Sequence, residues 1–312
     1  MSAAAAARWP SVTTVVATRG RPVLLRRALA SIAGQDYPGA MEIIVVFDQT
    51  TIDVLEDLRP LVPEAVRLRC VANVRTPGLA GARNTGIDLS TSDLVAFCDD
   101  DDEWLPQKLT RQVELRRSHP GAVVLATGIR ITTDRGSRVR TPPEVTHRAD
   151  LLRSRVSEIH PSALVFDRAA LTTLDGPVDE ALPASYGEDY DLLLRIATQG
   201  EIASVPEALV VVHWDRPSFF AGKWAGMANG LTYLLAKHPG LRTENRNAAR
   251  MTGQIAFARA AEGDRGAARR WALQALRHRW REPRAWMAFA IGCGLVRPAF
   301  VVRSLNYWGK GI

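Results

Sequence analysis

The chain has 312 residues, 46% of them hydrophobic and 23% charged, with a formal net charge of +7. That balance describes a globular protein with a sizeable core and excludes a low-complexity or fibrous chain. Its three cysteines, Cys70, Cys98 and Cys293, lack metal-ligand spacing, which argues against a disulfide framework and makes a reducing, cytoplasmic setting the default.

The charge is unevenly placed. From Arg216 onward 17 Lys/Arg stand against 4 Asp/Glu, a net of +13, whereas the preceding stretch has 23 basic and 29 acidic residues, a net of −6. Two parts of opposite electrostatics are implied, the basic one facing something anionic. The opening "MSAAAAARWP" has no basic segment followed by an apolar one, so residues 1–10 read as a disordered tail. "AWMAFAIGCGLV" (285–296) is the longest uncharged apolar run and is shorter than the roughly 20 residues a bilayer span requires.

In chain order, "SVTTVVAT" (11–18) predicts a strand ending at the turn "RGRP", and Pro22 opens a helix through "VLLRRALASIAGQ". "MEIIVVFD" (41–48) is apolar enough for a strand buried on both faces. "TIDVLEDLRPLV" predicts a helix, "VRLRCV" a strand and "GLAGARNTGIDLS" (78–90) a glycine-rich turn into a helix. "DLVAFC" (93–98) is a strand, "LPQKLTRQVELRRSH" (105–119) a helix. Strands over "AVVLATGIRIT", "SALVFD" and "EIASVPEALVVVHW" flank a helix at "GEDYDLLLRIATQG" (187–200). Beyond about residue 215 the pattern is helical, with a "GDRG" turn between two helices. The alternation predicts an α/β fold whose mostly parallel sheet binds ligands beyond the carboxyl ends of its strands.

Four consecutive aspartates, Asp99 to Asp102, follow the strand at 93–98. Adjacent carboxylates repel and resist burial, so a strand end avoids them unless a cation compensates. A solvated acidic loop is the plainer alternative, but a run closed by Trp104 and Pro106 directly after a buried strand favours metal binding. An EF-hand is excluded, because its glycine and closing glutamate are missing at the required offsets.

"ATRGRP", "EIIVVFDQT", "GLAGARNTGI", "VAFCDDDDEWLPQKL" and "GEDYDLLLRIA" resemble, in order and separation, the motifs of family 2 glycosyltransferases with the GT-A fold. The resemblance covers about the first 215 residues. It implies a catalytic domain over 11–215 and leaves 216–312 as a basic, α-helical C-terminal extension. By that match Asp48 reads the nucleotide base, although "DQT" replaces the family's Asp-Gly-Ser, and Thr18 and Arg19 line the nucleotide pocket. Arg83 and Asn84 border nucleotide and sugar. Within the aspartate run two registers stay open: Asp99 and Asp101 form the metal-binding DXD pair, or Asp100 holds the ribose while Asp101 holds the metal. A histidine after the last strand completes the metal site in some relatives, and His213 occupies that place. His160 is a candidate for the acceptor side. The ED motif falls on Glu188 and Asp189, with Asp189 the catalytic base and Asp191 structural.

The resemblance implies an inverting glycosyltransferase assisted by Mg²⁺ or Mn²⁺, with a UDP-, dTDP- or GDP-linked sugar as donor and a saccharide or lipid-linked acceptor. Two rivals stand beside it. A nucleotidyltransferase announces itself with a glycine-rich, lysine-containing loop after the first strand, which "TRGRP" is not. A non-catalytic scaffold with a vestigial site conflicts with the intact aspartates. The basic region, with five of the chain's eight tryptophans, suits an anionic membrane surface or an ordinary helical subdomain equally. No nucleic-acid reading motif accompanies it.

Overall fold

The computed structural model describes residues 8–214 and 222–296. Most of the tail expected over 1–10 lies outside them, as do the ends of the basic region. Trp9 and Pro10, inside, are anchored: Trp9 packs edge-on against Tyr37 at 5.5 Å, and the Tyr37 hydroxyl donates to the Pro10 carbonyl at 2.5 Å.

In chain order the elements are β1 (Val12–Thr18), α1 (Pro22–Ala33), β2 (Met41–Phe47), β3 (Val66–Ala72), α2 (Leu79–Leu89), β4 (Leu94–Phe97), β5 (Glu103–Trp104), α3 (Lys108–Ser118), β6 (Ala122–Thr133), β7 (Gly136–Arg140), β8 (Val145–Thr146), α4 (Arg148–Arg153), β9 (Val165–Asp167), α5 (Arg168–Thr172), α6 (Glu188–Ile196) and β10 (Glu201–His213). Helices α7 (Trp224–Lys237), α8 (Asn245–Glu262), α9 (Arg265–His278) and α10 (Pro283–Gly292) follow. The chain divides into two compact units. One comprises Met1–Leu151, Val156–Glu180 and Asp189–Arg216; the other joins Leu152–Arg155 and Ala181–Glu188 to Pro217–Ile312.

The first unit is α/β. Its sheet runs β3-β2-β1-β4-β9-β6-β10-β5, with β7 on β6 and β8 on β10. The long ladders, β3-β2-β1-β4 and β6-β10, are parallel; β9 joins them by antiparallel pairing to both β4 and β6. All seven residues of β2 are buried, as a two-faced interior strand requires. Thr18 pairs with Phe47, and Val15 with Phe97, so β1, β2 and β4 end at one edge of the sheet. Asp48 and the aspartate run leave the sheet there.

The helix expected over "TIDVLEDLRPLV" does not form; only a 3₁₀ turn at Arg59–Leu61 does. The Asp53 carboxylate accepts the Leu55 N–H at 2.9 Å, a local turn that competes with the helix, and Leu55 sits at φ 55°. Arg26 holds Asp53 at 2.9 Å and Asp57 at 2.6 Å, and Leu55 is fully buried, so the segment is anchored as an irregular loop.

The second unit is helical. α8, α9 and α10 bury an alanine-rich seam of Ala256, Ala260, Ala268, Ala272, Ala275, Ala285 and Ala288, capped by Phe257 and Ile291. Small side chains let the helix backbones approach closely. The apolar run at 285–296 therefore turns its buried face inward within this unit. Among the described residues no helix is long and apolar enough to cross a membrane.

Candidate active site

The four aspartates form the turn from β4 to β5, and the sheet fixes both ends of that turn. β4 is completely buried; β5 pairs antiparallel with β10, Trp104 opposite Val210 and Glu103 opposite Val211. Inside the turn the Asp102 N–H donates to the Asp99 carbonyl at 3.2 Å. Asp100 and Asp102 point inward and are buried, while Asp99 and Asp101 are partly exposed.

Each carboxylate has a partner. Asp99 accepts from Arg83 Nη2 at 2.7 Å. Asp100 accepts from the Thr18 hydroxyl at 2.7 Å and from Arg21 Nη1 at 3.1 Å, and the same Arg21 nitrogen reaches Asp101 at 2.9 Å. Asp102 accepts from the Ser162 hydroxyl at 2.5 Å and lies 3.5 Å from His160 Nδ1. Arg27 donates to the Asp101 carbonyl at 3.0 Å and pairs with Glu103 at 3.1 Å. Three arginines thus offset part of the charge that the sequence assigns to a cation. Burial still pushes Asp100 up to about 6, raises Asp101 with help from Asp99, and lifts Asp102 far above the usual carboxylate range.

One donor atom each from Asp99, Asp102 and His160 lie within 4.8 Å of one another. Two carboxylates of the acidic turn and an imidazole from outside it fit a hard or borderline divalent ion. The other residues named for the metal are placed elsewhere. Asp101 turns to Arg21, and His213 is held at both ring nitrogens, by Glu103 at 2.7 Å and Thr132 at 3.0 Å. Neither His160 nor Ser162 belongs to a metal motif; their legible signal is "HPS", a turn opening with a capping histidine before proline. In the structure the His160 ring accepts the Ser162 N–H.

Asp48 lies beyond β2. Burial opposes its charge, but donors from Asn73 at 2.8 Å, the Gly78 N–H at 3.0 Å and Gln49 at 2.9 Å, with the Arg19 charge nearby, hold it below the usual carboxylate value. Gly78 adopts φ 125°, a backbone shape side chains resist, and that presents its N–H to Asp48. A Cβ on Gly81 would sit 1.9 Å from the Thr76 carbonyl, so this glycine serves the close approach of α2 to the preceding turn. Arg83 is only 2% exposed, with its guanidinium 5.0 Å from the Phe97 ring centre. Asn84 binds outside the aspartate turn. Its amide brackets Val178, donating to the carbonyl at 2.8 Å and accepting from the N–H at 2.9 Å, and it also donates to Glu180 at 2.7 Å. Despite burial, donors from Thr76, Asn84 and Arg75 hold Glu180 at about 2.

Glu188 and Asp189 open α6, and both are buried. Asp191 is fully buried and accepts from Arg195 at 2.7 Å, while Arg195 also donates to the carbonyls of Gly176 and Pro177.

An α/β sheet with a cluster of carboxylates and a buried arginine at its carboxyl edge has these groups where such folds bind their ligands. The model of glycosyl transferase family 2 matches residues 13–174, more than half of the chain, and the chain belongs to that family. It is 30% identical to the succinoglycan biosynthesis protein ExoO of Rhizobium meliloti (strain 1021), over 65% of this chain and 61% of that one. It therefore spans about three fifths of that relative's length. It is 25% identical to the UDP-Glc:alpha-D-GlcNAc-diphosphoundecaprenol beta-1,3-glucosyltransferase WfaP of Escherichia coli, over 61% of this chain and 71% of that one. Among solved structures, S. aureus TarS 1-349 in complex with UDP superposes with a TM-score of 0.58 at 20% identity, covering 96% of this chain and 92% of that one. The mannosyltransferase PcManGT of Pyrobaculum calidifontis, in complex with GDP-Man and Mn²⁺, gives 0.55 at 20%, covering 98% and 89%. These likenesses show the fold, a GT-A sheet with helices after it.

Proposed function

We propose that this chain is an inverting glycosyltransferase that moves a sugar from a nucleoside-diphosphate donor to a hydroxyl of a saccharide or lipid-linked acceptor, with Mg²⁺ or Mn²⁺ at the aspartate turn. The observation that carries the reading is the group of Asp99, Asp102 and His160 beside buried Arg83, at the carboxyl end of β4. A bound divalent ion would supply charge neutralisation for the departing diphosphate. Asp99 and Asp102, with His160, would hold it, and Asp101 stands next in the turn.

The chain's own residues divide the remaining work. Asp48, kept ionised by its three donors, presents acceptors to the base of the nucleotide. Thr18 fixes Asp100, and Arg83 fixes Asp99 while bringing positive charge toward the diphosphate. Asp189 accepts the proton of the attacking hydroxyl, and Glu188 precedes it at the opening of α6. A single base opposite the leaving group gives direct displacement with inversion through an oxocarbenium-like transition state. WfaP, by its name a transferase onto a diphosphoundecaprenol-linked sugar, supports a lipid-linked acceptor. The complexes of TarS with UDP and of PcManGT with GDP-Man and Mn²⁺ support the donor class and the ion.

Donor turnover tests the reading. Incubated with UDP-, dTDP- and GDP-sugars and Mn²⁺, the protein should release nucleoside diphosphate from one of them, and proton NMR should show the sugar first appearing in the anomer opposite to the donor's. Retention of configuration contradicts inversion. Consumption of nucleoside triphosphate and sugar phosphate, with pyrophosphate released, would identify a nucleotidyltransferase instead.

A further inference from the structure

The charges at the end of the helical unit are sorted by sign. From Arg265 to Val296 seven arginines are exposed, and the single acidic residue, Glu282, is buried at 4% exposure. The turn from α9 to α10 and the first turn of α10 add two large aromatic side chains to this basic surface. Trp280 is 65% exposed and Trp286 51%. Folding normally hides an indole, so two exposed together ask for a partner. They are held side by side: Trp286 Nε1 donates to the Trp280 carbonyl at 2.7 Å. The Arg281 guanidinium lies over the Trp280 ring, 4.7 Å from its centre, and Arg284 pairs with the buried Glu282 at 3.4 Å. One turn back on α9, Arg277 and the 45% exposed Leu273 fall on one helical stripe, four residues apart.

We propose that the α9–α10 turn is a docking surface for an anionic phospholipid bilayer, with Trp280 and Trp286 entering the headgroup layer and Arg277, Arg281 and Arg284 on lipid phosphates. Indole is amphipathic and settles at a membrane–water interface, while arginines beside it gain from the negative surface potential. Neither feature alone suffices, since weak anchoring becomes stable only when apolar insertion and electrostatic attraction combine. Single-stranded nucleic acid would use the indole faces as stacking platforms, and Arg281 lies over one face of Trp280. The face of α10 that packs inside the unit takes no part, so docking leaves the alanine seam intact. The surface stands on its own exposure and charge and does not depend on the reaction assigned above.

The test is co-sedimentation of the full chain with vesicles of phosphatidylcholine plus phosphatidylglycerol, against vesicles of phosphatidylcholine alone. Binding should need the anionic lipid and weaken as salt is raised. Two double variants separate the contributions, Trp280→Ser with Trp286→Ser, and Arg277→Gln with Arg281→Gln. Each should lower the vesicle-bound fraction at limiting lipid by about tenfold or more while the far-ultraviolet spectrum and melting temperature stay unchanged. Failure to bind anionic vesicles, binding that either variant leaves intact, or tighter retention on a DNA duplex than on vesicles overturns the proposal.

Discussion

The guanidinium of Arg83, 2% exposed, sits 2.7 Å from the carboxylate of Asp99. It is a buried cation aimed at the acidic turn leaving β4, and the Phe97 ring 5.0 Å away limits where else it can go. Replacing it strands Asp99 beside three further carboxylates. Arg83→Gln should destabilise the protein by about 1–3 kcal/mol, since Asp99 is partly solvated and the loss is smaller than for a fully buried pair. Urea titration at neutral pH measures it. An unchanged midpoint would mean that the turn is held without this pair.

Ser162 links the two carboxylate ligand candidates. Its hydroxyl accepts from the Asp99 N–H at 3.0 Å and donates to Asp102 at 2.5 Å, while its carbonyl accepts from the Trp104 indole at 2.8 Å. Ser162→Ala removes the hydroxyl and keeps the backbone contact. The expected result is Mn²⁺ binding weakened by about tenfold, one hydrogen bond to a charged group, with Ser162→Thr recovering most of it. Equal Mn²⁺ affinity in all three proteins would show that the hydroxyl does not set the turn.

Lys108 gives a pH signature of its own. Its ammonium is fully buried, 3.7 Å from the Trp104 ring centre and donating to Gln112 Oε1 at 2.9 Å. Burial brings its pKa down from 10.5 to about 7. Between those values the unfolded chain holds a proton that the folded chain has released, so stability rises with pH across the window. Above it both states are neutral, and below about 7 the full penalty applies. From pH 7 to pH 9 the group should add about 2 kcal/mol. Chemical denaturation of the wild type and of Lys108→Met across this range should show the slope in the former and its loss in the latter. Parallel curves would place the proton elsewhere.

Asp189→Asn separates binding from chemistry. Asparagine keeps the size of the side chain but cannot take a proton at neutral pH. Nucleotide binding should persist while turnover falls by roughly 10²–10⁴-fold, the range for loss of a general base. Transfer at the wild-type rate would remove Asp189 from that role.

Much of the scaffold was legible because its signals are local. The β-branched runs at 12–18 and 41–47 and the apolar run at 94–97 became strands close to their predicted limits, and "GDRG" became the turn between α8 and α9, with Gly263 at φ 100°. The helix predicted after Asp48 failed because Arg26, on α1, engages both Asp53 and Asp57, a tertiary pairing that periodicity does not encode. The short β5 was likewise invisible, since two residues form a strand only because β10 is there to pair with them. The site divides in the same way. The sequence puts carboxylates at a strand end, but which of them converge depends on partners brought from elsewhere: Arg21 from the start of α1, Arg83 from α2, and His160 with Ser162 from a turn some sixty residues downstream. Asn84 shows the converse: its motif suggests a ligand contact, and the fold turns its amide to the backbone of Val178.

The central claim is that the aspartate turn is where a cation meets a nucleoside diphosphate. Isothermal titration of the full chain with UDP, dTDP and GDP, each with Mn²⁺ and again with EDTA, tests it most directly. Binding of one nucleotide that appears with Mn²⁺ and vanishes with EDTA is the predicted result, and it also names the base. Binding of none of the three, or binding indifferent to the metal, would contradict it.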